Sequence, residues 1–317
     1  MQTRNYSRRK FLQTTAGLLP VTLAGLSFNS KKYKPLLSFS TLAVPDWPFE
    51  KIVEFAAANN YDGIEFRGIQ RELDLTKCSA FSSPQSIETS KNLLKQKNIK
   101  FVDLNASAEM HHPEGDERQK NLAEARRFID LAQQLGCPYI RVYPNEVLKE
   151  PETETSIELI VQGLLELGDY AKDKNVIVLM ETHCLHPQTN PSSLYIANLQ
   201  NIMKRAEHPH VGLVWDPYNM WTVTKESVTE MYTALKKYIR HAHIKDAKSV
   251  DGKYQFVLLG EGDTPILQAV DLLAKDHYSG YYSFEWEKLW HPEIADGEIA
   301  LADYAKTMQR HFEGLKL

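Results

Sequence analysis

The stretch Arg240-His241-Ala242-His243-Ile244-Lys245-Asp246-Ala247 gathers five ionisable groups on what reads as a buried strand. In a strand, successive side chains point to opposite faces, so His241, His243 and Lys245 share one face and Ala242, Ile244 and Asp246 the other. The small and apolar members suit a face packed under helices. The polar trio then faces the opposite way, with His243 or Lys245 nearer the strand's end. His241 reads as a hydrogen-bonded core histidine. Three more apolar runs end in acidic groups: VIVLMETH in Glu181-Thr182-His183, VGLVWD in Asp216, and YYSFEWE in Glu285-Trp286-Glu287. A single carboxylate at a strand end is usually a capping or salt-bridging group. Four successive strands ending this way imply convergence of Glu181, Asp216, Glu285 and one histidine of the 240–247 stretch. Crowded carboxylates cannot all stay ionised without a counter-charge. A divalent cation supplies it, and three carboxylates with one imidazole favour Mn²⁺ or Mg²⁺, with Co²⁺, Fe²⁺ or Zn²⁺ possible.

The elements that must carry these groups alternate along the chain. Strand-like runs at 36–44, 63–66, 100–107, 139–144, 176–183, 211–216, 239–246 and 281–287 are separated by amphipathic stretches of helical period. Glu117 to Leu135 is a strong helix closed by Gly136 at its C-cap. Residues 247–262 are looser and contain the turn signal Asp251-Gly252. Eight strands alternating with helices predict a single-domain (β/α)8 TIM barrel over residues 35–317, with its site at the C-terminal strand ends. A doubly wound open sheet is the competing architecture. It usually carries a glycine-rich turn after its first strand, where this chain has Leu42-Ala43-Val44-Pro45-Asp46. The strand ends also present Glu65-Phe66-Arg67, Asn105-Ala106-Ser107 and Tyr143-Pro144-Asn145. His111-His112 reads as part of a mobile loop covering the mouth.

The chain has 317 residues, a net charge of −4 and 43% hydrophobic residues, enough for one large barrel. A mildly acidic balance without a basic stripe gives no footprint for nucleic acid. Cys78, Cys137 and Cys184 are too sparse for a disulfide framework or a metal clip. Residues 1–30 read as a signal peptide: a head with Arg4, Arg8, Arg9 and Lys10, then a moderately apolar stretch. Ser7-Arg8-Arg9-Lys10-Phe11-Leu12 matches a twin-arginine export signal. The expectation is export by the Tat machinery to the periplasm, with an uncleaved membrane anchor as the alternative.

VLMETH, LVWDP, HAHIKDA, LGEGD (259–263) and SFEWE together resemble the sugar phosphate isomerase/epimerase family of xylose-isomerase-like barrels, over nearly the whole mature chain. The resemblance implies metal ligands at Glu181, Asp216, His243 and Glu285, with Glu181 and Glu285 also serving as the catalytic acid/base pair. Arg67, His183, Lys245 and Glu261 are its implied substrate contacts. Members often have a histidine three residues after the strand-six aspartate. Here Asn219 stands there, which can bind a hydroxyl but cannot shuttle a proton, and His183 is the best replacement. Trp286 is a further candidate for stacking on a sugar face.

The implied function is a divalent-metal-dependent isomerase or epimerase of a free or keto-sugar, moving a proton through a metal-stabilised enediolate. A dehydratase or lyase acting on a keto-sugar or keto-inositol is the runner-up. An exported sugar-binding protein is the non-enzyme alternative. A homo-oligomer is possible. A metal-dependent endonuclease of a related barrel family is disfavoured by the acidic charge.

Overall fold

The computed structural model describes residues 33–145, 152–183 and 193–315. The expected signal segment at 1–30 lies outside the described residues, as does Cys184. Eight parallel strands close on themselves: β1 (Leu36–Ser40), β2 (Gly63–Phe66), β3 (Lys100–Glu109), β4 (Tyr139–Tyr143), β5 (Ile177–Glu181), β6 (Val211–Trp215), β7 (Ile239–Ile244) and, after an inserted hairpin, β10 (Tyr281–Phe284). The order around the barrel is β1-β10-β7-β6-β5-β4-β3-β2. Registers such as Leu36 opposite Tyr281 and Ser38 opposite Gly63 seal the first strand to both neighbours. The open-sheet alternative is thereby excluded. Among the described residues, no helix is long and apolar enough to cross a membrane.

Helices alternate with the strands: α1 (Phe49–Ala58), α2 (Pro84–Lys97), α3 (Asp116–Leu135), α4 (Thr153–Ala171), α5 (Ser193–Arg205), α6 (Pro217–Thr224), α7 (Val228–Leu235), α8 (Ile266–Lys275) and α9 (Gly297–Gly314). Their limits follow local chemistry. At α2, Ser83 and Ser86 form a reciprocal capping box ahead of Pro84. At α3, Leu122, Ala125, Phe128, Ile129 and Ala132 bury one face, and Gly136 ends the helix at φ +70°.

Strand alternation divides the core into two regions. On β4, Ile140 and Val142 are buried on one face, while Arg141 is buried on the other with no exposed surface. On β3, Val102 and Leu104 alternate with Asp103 and Asn105, all fully buried. The apolar set meets the helices. The polar set continues on other strands as Glu65, Glu181, His241, His243, Ser283 and Glu285. Cys78 and Cys137 are the isolated buried thiols expected of them. Burial pushes the Cys78 thiol up to about 12.

Several boundaries differ from the expectation. The first strand stops at Ser40 and turns through a 3₁₀ segment, Thr41–Ala43. The third runs two residues further, to Glu109. The seventh ends at Ile244, because Asp246 begins a hairpin, β8 (Asp246–Val250) with β9 (Lys253–Val257). Its turn places Asp251 at φ +50° and Gly252 at φ +78°, a two-residue hairpin connection with both residues left-handed. The segment expected to be loose is thus a β-ribbon.

Candidate metal centre

The C-terminal ends of β5, β6, β7 and β10 bring Glu181, Asp216, His243 and Glu285 together, with one ligand atom from each lying within 4.8 Å of all the others. Each residue has a local reason to be there. Glu181 is the last residue of β5. Asp216 caps α6, its Oδ1 accepting from the Asn219 backbone N–H at 2.8 Å, with Pro217 at the first helical position. Between them, Thr182 Oγ1 accepts from the Asp216 N–H at 2.8 Å and ties the two strand ends together. His243 and Glu285 reach the cluster from neighbouring strands, Ser283 pairing with His243 in the parallel register.

His243 is held from behind. Its Nε2 lies 3.1 Å from Glu65 Oε2, which also takes His241 Nε2 at 2.7 Å and the Ser283 hydroxyl at 2.8 Å. Asn105 donates to the other oxygen of Glu65 at 3.0 Å. This leaves His243 Nδ1 facing Glu181 Oε1 at 3.4 Å and Glu285 Oε2 at 3.3 Å. A carboxylate behind the imidazole, with the free ring nitrogen turned toward a carboxylate cluster, is how metal-ligating histidines are oriented. His243 Nδ1 and Glu181 Oε2 are buried, with ion-pair rather than well-aligned hydrogen-bond contacts. Three carboxylates and one imidazole oriented from behind fit a divalent cation.

Positive side chains surround this cluster. Lys245 Nζ donates to Glu285 Oε2 at 2.5 Å and Glu287 Oε1 at 2.7 Å, and lies 2.9 Å from Asp216 Oδ2. Arg141 Nε stands 3.2 Å from Glu181 Oε2, and its guanidinium lies over the Tyr143 ring at 3.8 Å. Burial alone would raise the Glu181 and Glu285 carboxyls. Arg141 at Glu181, and His243 and Lys245 at Glu285, outweigh it and hold both below the usual carboxylate range. Burial dominates at Asp216, raising it to about 6 despite Lys245. Burial opposes the charge on His243 as well, but Glu285 and Glu65 hold its imidazole well above the ordinary value.

The remaining sequence candidates are distributed unevenly. His183 follows β5 with its ring 5.5 Å from that of Tyr143, and burial lowers its basicity, favouring the neutral imidazole. Arg67 is buried and donates to Ser107 Oγ at 2.8 Å. Lys245 is engaged with three carboxylates and so neutralises the cluster. Two assignments need correction. Asn219 donates its side-chain amide to Asp216 Oδ2 at 2.7 Å and so fixes a candidate ligand, not a substrate hydroxyl. Trp286 is only 1% exposed, stacks on Phe284 and donates its indole N–H to the Ala295 carbonyl, so it offers no face to a sugar. Glu261 is exposed on the turn after the hairpin, outside the cluster.

Sequence reasoning passed over Arg141, Asp103, Glu65 and Glu287 as site residues. The signal was present for the first two: a charged residue inside the apolar runs YIRVY and KFVDL, on the face opposite the aliphatic side chains. Glu65 and Glu287 carry no signal in the sequence beyond standing at strand ends.

A match to the Xylose isomerase-like TIM barrel family spans residues 53–308, and the chain belongs to that family. No curated protein matches it. Among solved structures, it is similar to the IolI protein with a bound zinc atom, at 19% identity and TM-score 0.70, over 89% of this chain and 100% of that one. It is similar to a probable 3-DHS dehydratase, AsbF, from Bacillus anthracis, at 17% identity and TM-score 0.69, over 86% and 98%. It is also similar to D-psicose 3-epimerase from Clostridium cellulolyticum H10, at 16% identity and TM-score 0.66, over 87% and 99%. At these identities the likeness is one of fold.

Proposed function

We propose that the protein is a divalent-metal-dependent isomerase or epimerase of a free or keto-sugar. The observation carrying this reading is the convergence of Glu181, Asp216, His243 and Glu285 at one end of the barrel. These four would hold the ion, Mn²⁺ or Mg²⁺ by the excess of carboxylate oxygen over imidazole. When bound, the ion supplies Lewis acidity toward a carbonyl and its neighbouring hydroxyl. The chain's own residues then do the proton chemistry. Glu181 and Glu285 come from β5 and β10, on either side of β6 and β7 in the barrel. Neighbouring cations keep both ionised, the form in which one of them removes the proton beside the carbonyl, with basicity lowered by the same cations. Return of a proton to the opposite face inverts that carbon, and return to the neighbouring carbon exchanges aldose for ketose. The IolI protein, solved with zinc, and the epimerase are fold relatives consistent with this chemistry.

A second reading, a dehydratase or lyase on a keto-sugar or keto-inositol, is favoured by Lys245. Its ammonium sits between Asp216, Glu285 and Glu287, a fixed positive charge beside the cluster that would stabilise a departing hydroxyl. The twin-arginine pattern supports export to the periplasm, where free sugars or glycosides are met more often than sugar phosphates.

The test is metal content of the purified mature protein, followed by a panel of keto-sugars in D₂O. About one ion per chain at this cluster is expected, lost in Glu181→Gln/Asp216→Asn. Deuterium should enter the substrate without a change in formula, and Glu181→Gln alone should slow exchange by about 100-fold or more. Loss of water from the substrate would favour the dehydratase. Failure of the cluster to take up any divalent ion would sink both readings.

A further inference from the structure

The extension of β3 ends at Glu109, which with His111 and His112 just beyond the strand forms another group of metal-ligating side chains. Glu109, His111 and His112 each offer an atom lying within 4.8 Å of the other two. His112 Nε2 is 3.0 Å from Glu109 Oε2, and His111 Nδ1 is 3.8 Å from the same oxygen. The two imidazole rings lie 4.1 Å apart, centroid to centroid, at 38°. All three side chains are partly open to solvent, between 16% and 33% exposed. An ion here would be open to solvent.

The backbone bearing these groups is clamped, contrary to the expectation of a mobile loop. The Glu109 N–H donates to Asn121 Oδ1 at 2.8 Å, and the Met110 N–H to the Tyr143 carbonyl at 2.9 Å. The buried Arg118 guanidinium donates to the carbonyls of Met110, His112 and Leu159 at 3.2–3.3 Å. Asn121 and Arg118 both belong to α3, so a core helix fixes the positions of the three ligands. Such preorganisation removes much of the ordering cost of binding.

We propose that Glu109, His111 and His112 form a second divalent-metal site, at the rim of the barrel face that also carries the central cluster. Two imidazoles and one carboxylate prefer a borderline ion, Zn²⁺ above all, over the Mn²⁺ or Mg²⁺ suited to the carboxylate-rich centre. Three protein ligands leave a fourth position open toward solvent, where water or an oxygen of a bound molecule coordinates.

The experiment uses tag-free mature protein stripped with chelator and titrated with Zn²⁺ by calorimetry. Glu181→Gln/Asp216→Asn removes the central cluster and leaves the rim intact. That variant should bind one Zn²⁺ with a Kd in the micromolar range or tighter. Adding His111→Ala/His112→Ala should abolish this binding while the circular dichroism spectrum and melting temperature of the metal-free protein stay close to those of the parent. In the central variant, Cu²⁺ should give an electron paramagnetic resonance spectrum with hyperfine coupling to two imidazole nitrogens, lost when His111→Ala/His112→Ala is added, which separates the rim from the buried Glu65, His241 and His243. Zn²⁺ binding weaker than millimolar, retention of the ion after the histidine changes, or coupling to fewer than two nitrogens would each overturn the proposal. Absence of metal from the centre of the wild-type protein alone would defeat the proposed function and leave the rim site standing.

Discussion

Lys245 is the residue whose chemistry most changes the view of the site. Its ammonium already satisfies Asp216, Glu285 and Glu287, so it competes with a divalent ion for two of the four candidate ligands. Replacing it by methionine keeps much of the bulk and removes the charge. Breaking a buried ion pair by deleting one partner costs about 3–5 kcal/mol, so metal-free Lys245→Met should melt well below the wild type. The same change should tighten Mn²⁺ binding by at least about tenfold and restore most of the lost stability at saturating ion. Calorimetry and thermal melts with and without chelator check both halves, and unchanged affinity would show that Lys245 does not contest the site. His243 adds a pH dependence. Its carboxylate neighbours hold it protonated above the ordinary imidazole range, yet a ligand must offer a bare Nδ1. Metal binding therefore releases a proton, and affinity should rise with pH, by up to about tenfold per unit, until His243 titrates in the free protein. Calorimetry in two buffers of different ionisation enthalpy measures that proton directly. The alternation of 240–247 was enough to put His241, His243 and Lys245 on one face. That Lys245 would turn to the carboxylates could not be read, because it depends on β6 and β10 meeting β7 at the same height.

Among the elements, the segment after β7 shows how a functional barrel end is stiffened. Asp246 accepts from the N–H groups of Ala247, Gly260 and Gly262 and from the Thr264 hydroxyl, at 2.5–3.1 Å. One carboxylate thus closes the base of the β8–β9 hairpin. Gly262 is required there, since a Cβ would lie 2.0 Å from Asp246 Oδ1. Asp246→Ala leaves buried donors unmet and should cost about 2–3 kcal/mol. It should also raise hydrogen exchange across residues 246–264 without altering exchange in β2 or β3. Equal exchange in mutant and wild type would mean the hairpin holds itself. This ribbon was legible only as a turn at Asp251-Gly252. Its strands, DAKSV and KYQFV, are half exposed and mix charge with aromatic residues, so no clean alternation marks them. The barrel strands were legible because burial on the helix side forces apolar side chains at every second position. Their ends were not, because a strand stops where its hydrogen-bonding neighbour does. The extension of β3 to Glu109 is a case of this: Glu109 is paired with Tyr143 across a register shift from β4.

Closing the sheet leaves no free edge, so this barrel must balance its polar groups inside. Glu65, Asp103, Glu181, Asp216 and Glu285 share one interior with His241, His243, Arg141 and Lys245. Most of the carboxylates have a cation or several donors. Asp103 is the exception: both of its oxygens are buried without a hydrogen-bond partner among the described residues. Burial, reinforced by the Glu65 charge, pushes its carboxyl well above the usual range despite Arg141 and His243. The folded protein therefore keeps a proton that the unfolded chain releases near pH 4. Stability from this group is present in full below that pH and is lost as pH rises toward the folded value, by about 1.4 kcal/mol per unit. Asp103→Asn mimics the protonated form and removes the dependence. The wild type should accordingly lose ground to Asp103→Asn as pH rises above the unfolded value, by up to about 1.4 kcal/mol per pH unit, measured by urea unfolding of both proteins at each pH. A gap that stays constant with pH would mean that Asp103 is ionised in the folded protein and paired with Arg141. The interior would then balance its charge as readily by pairing within β3 and β4 as by Lys245 just beyond β7.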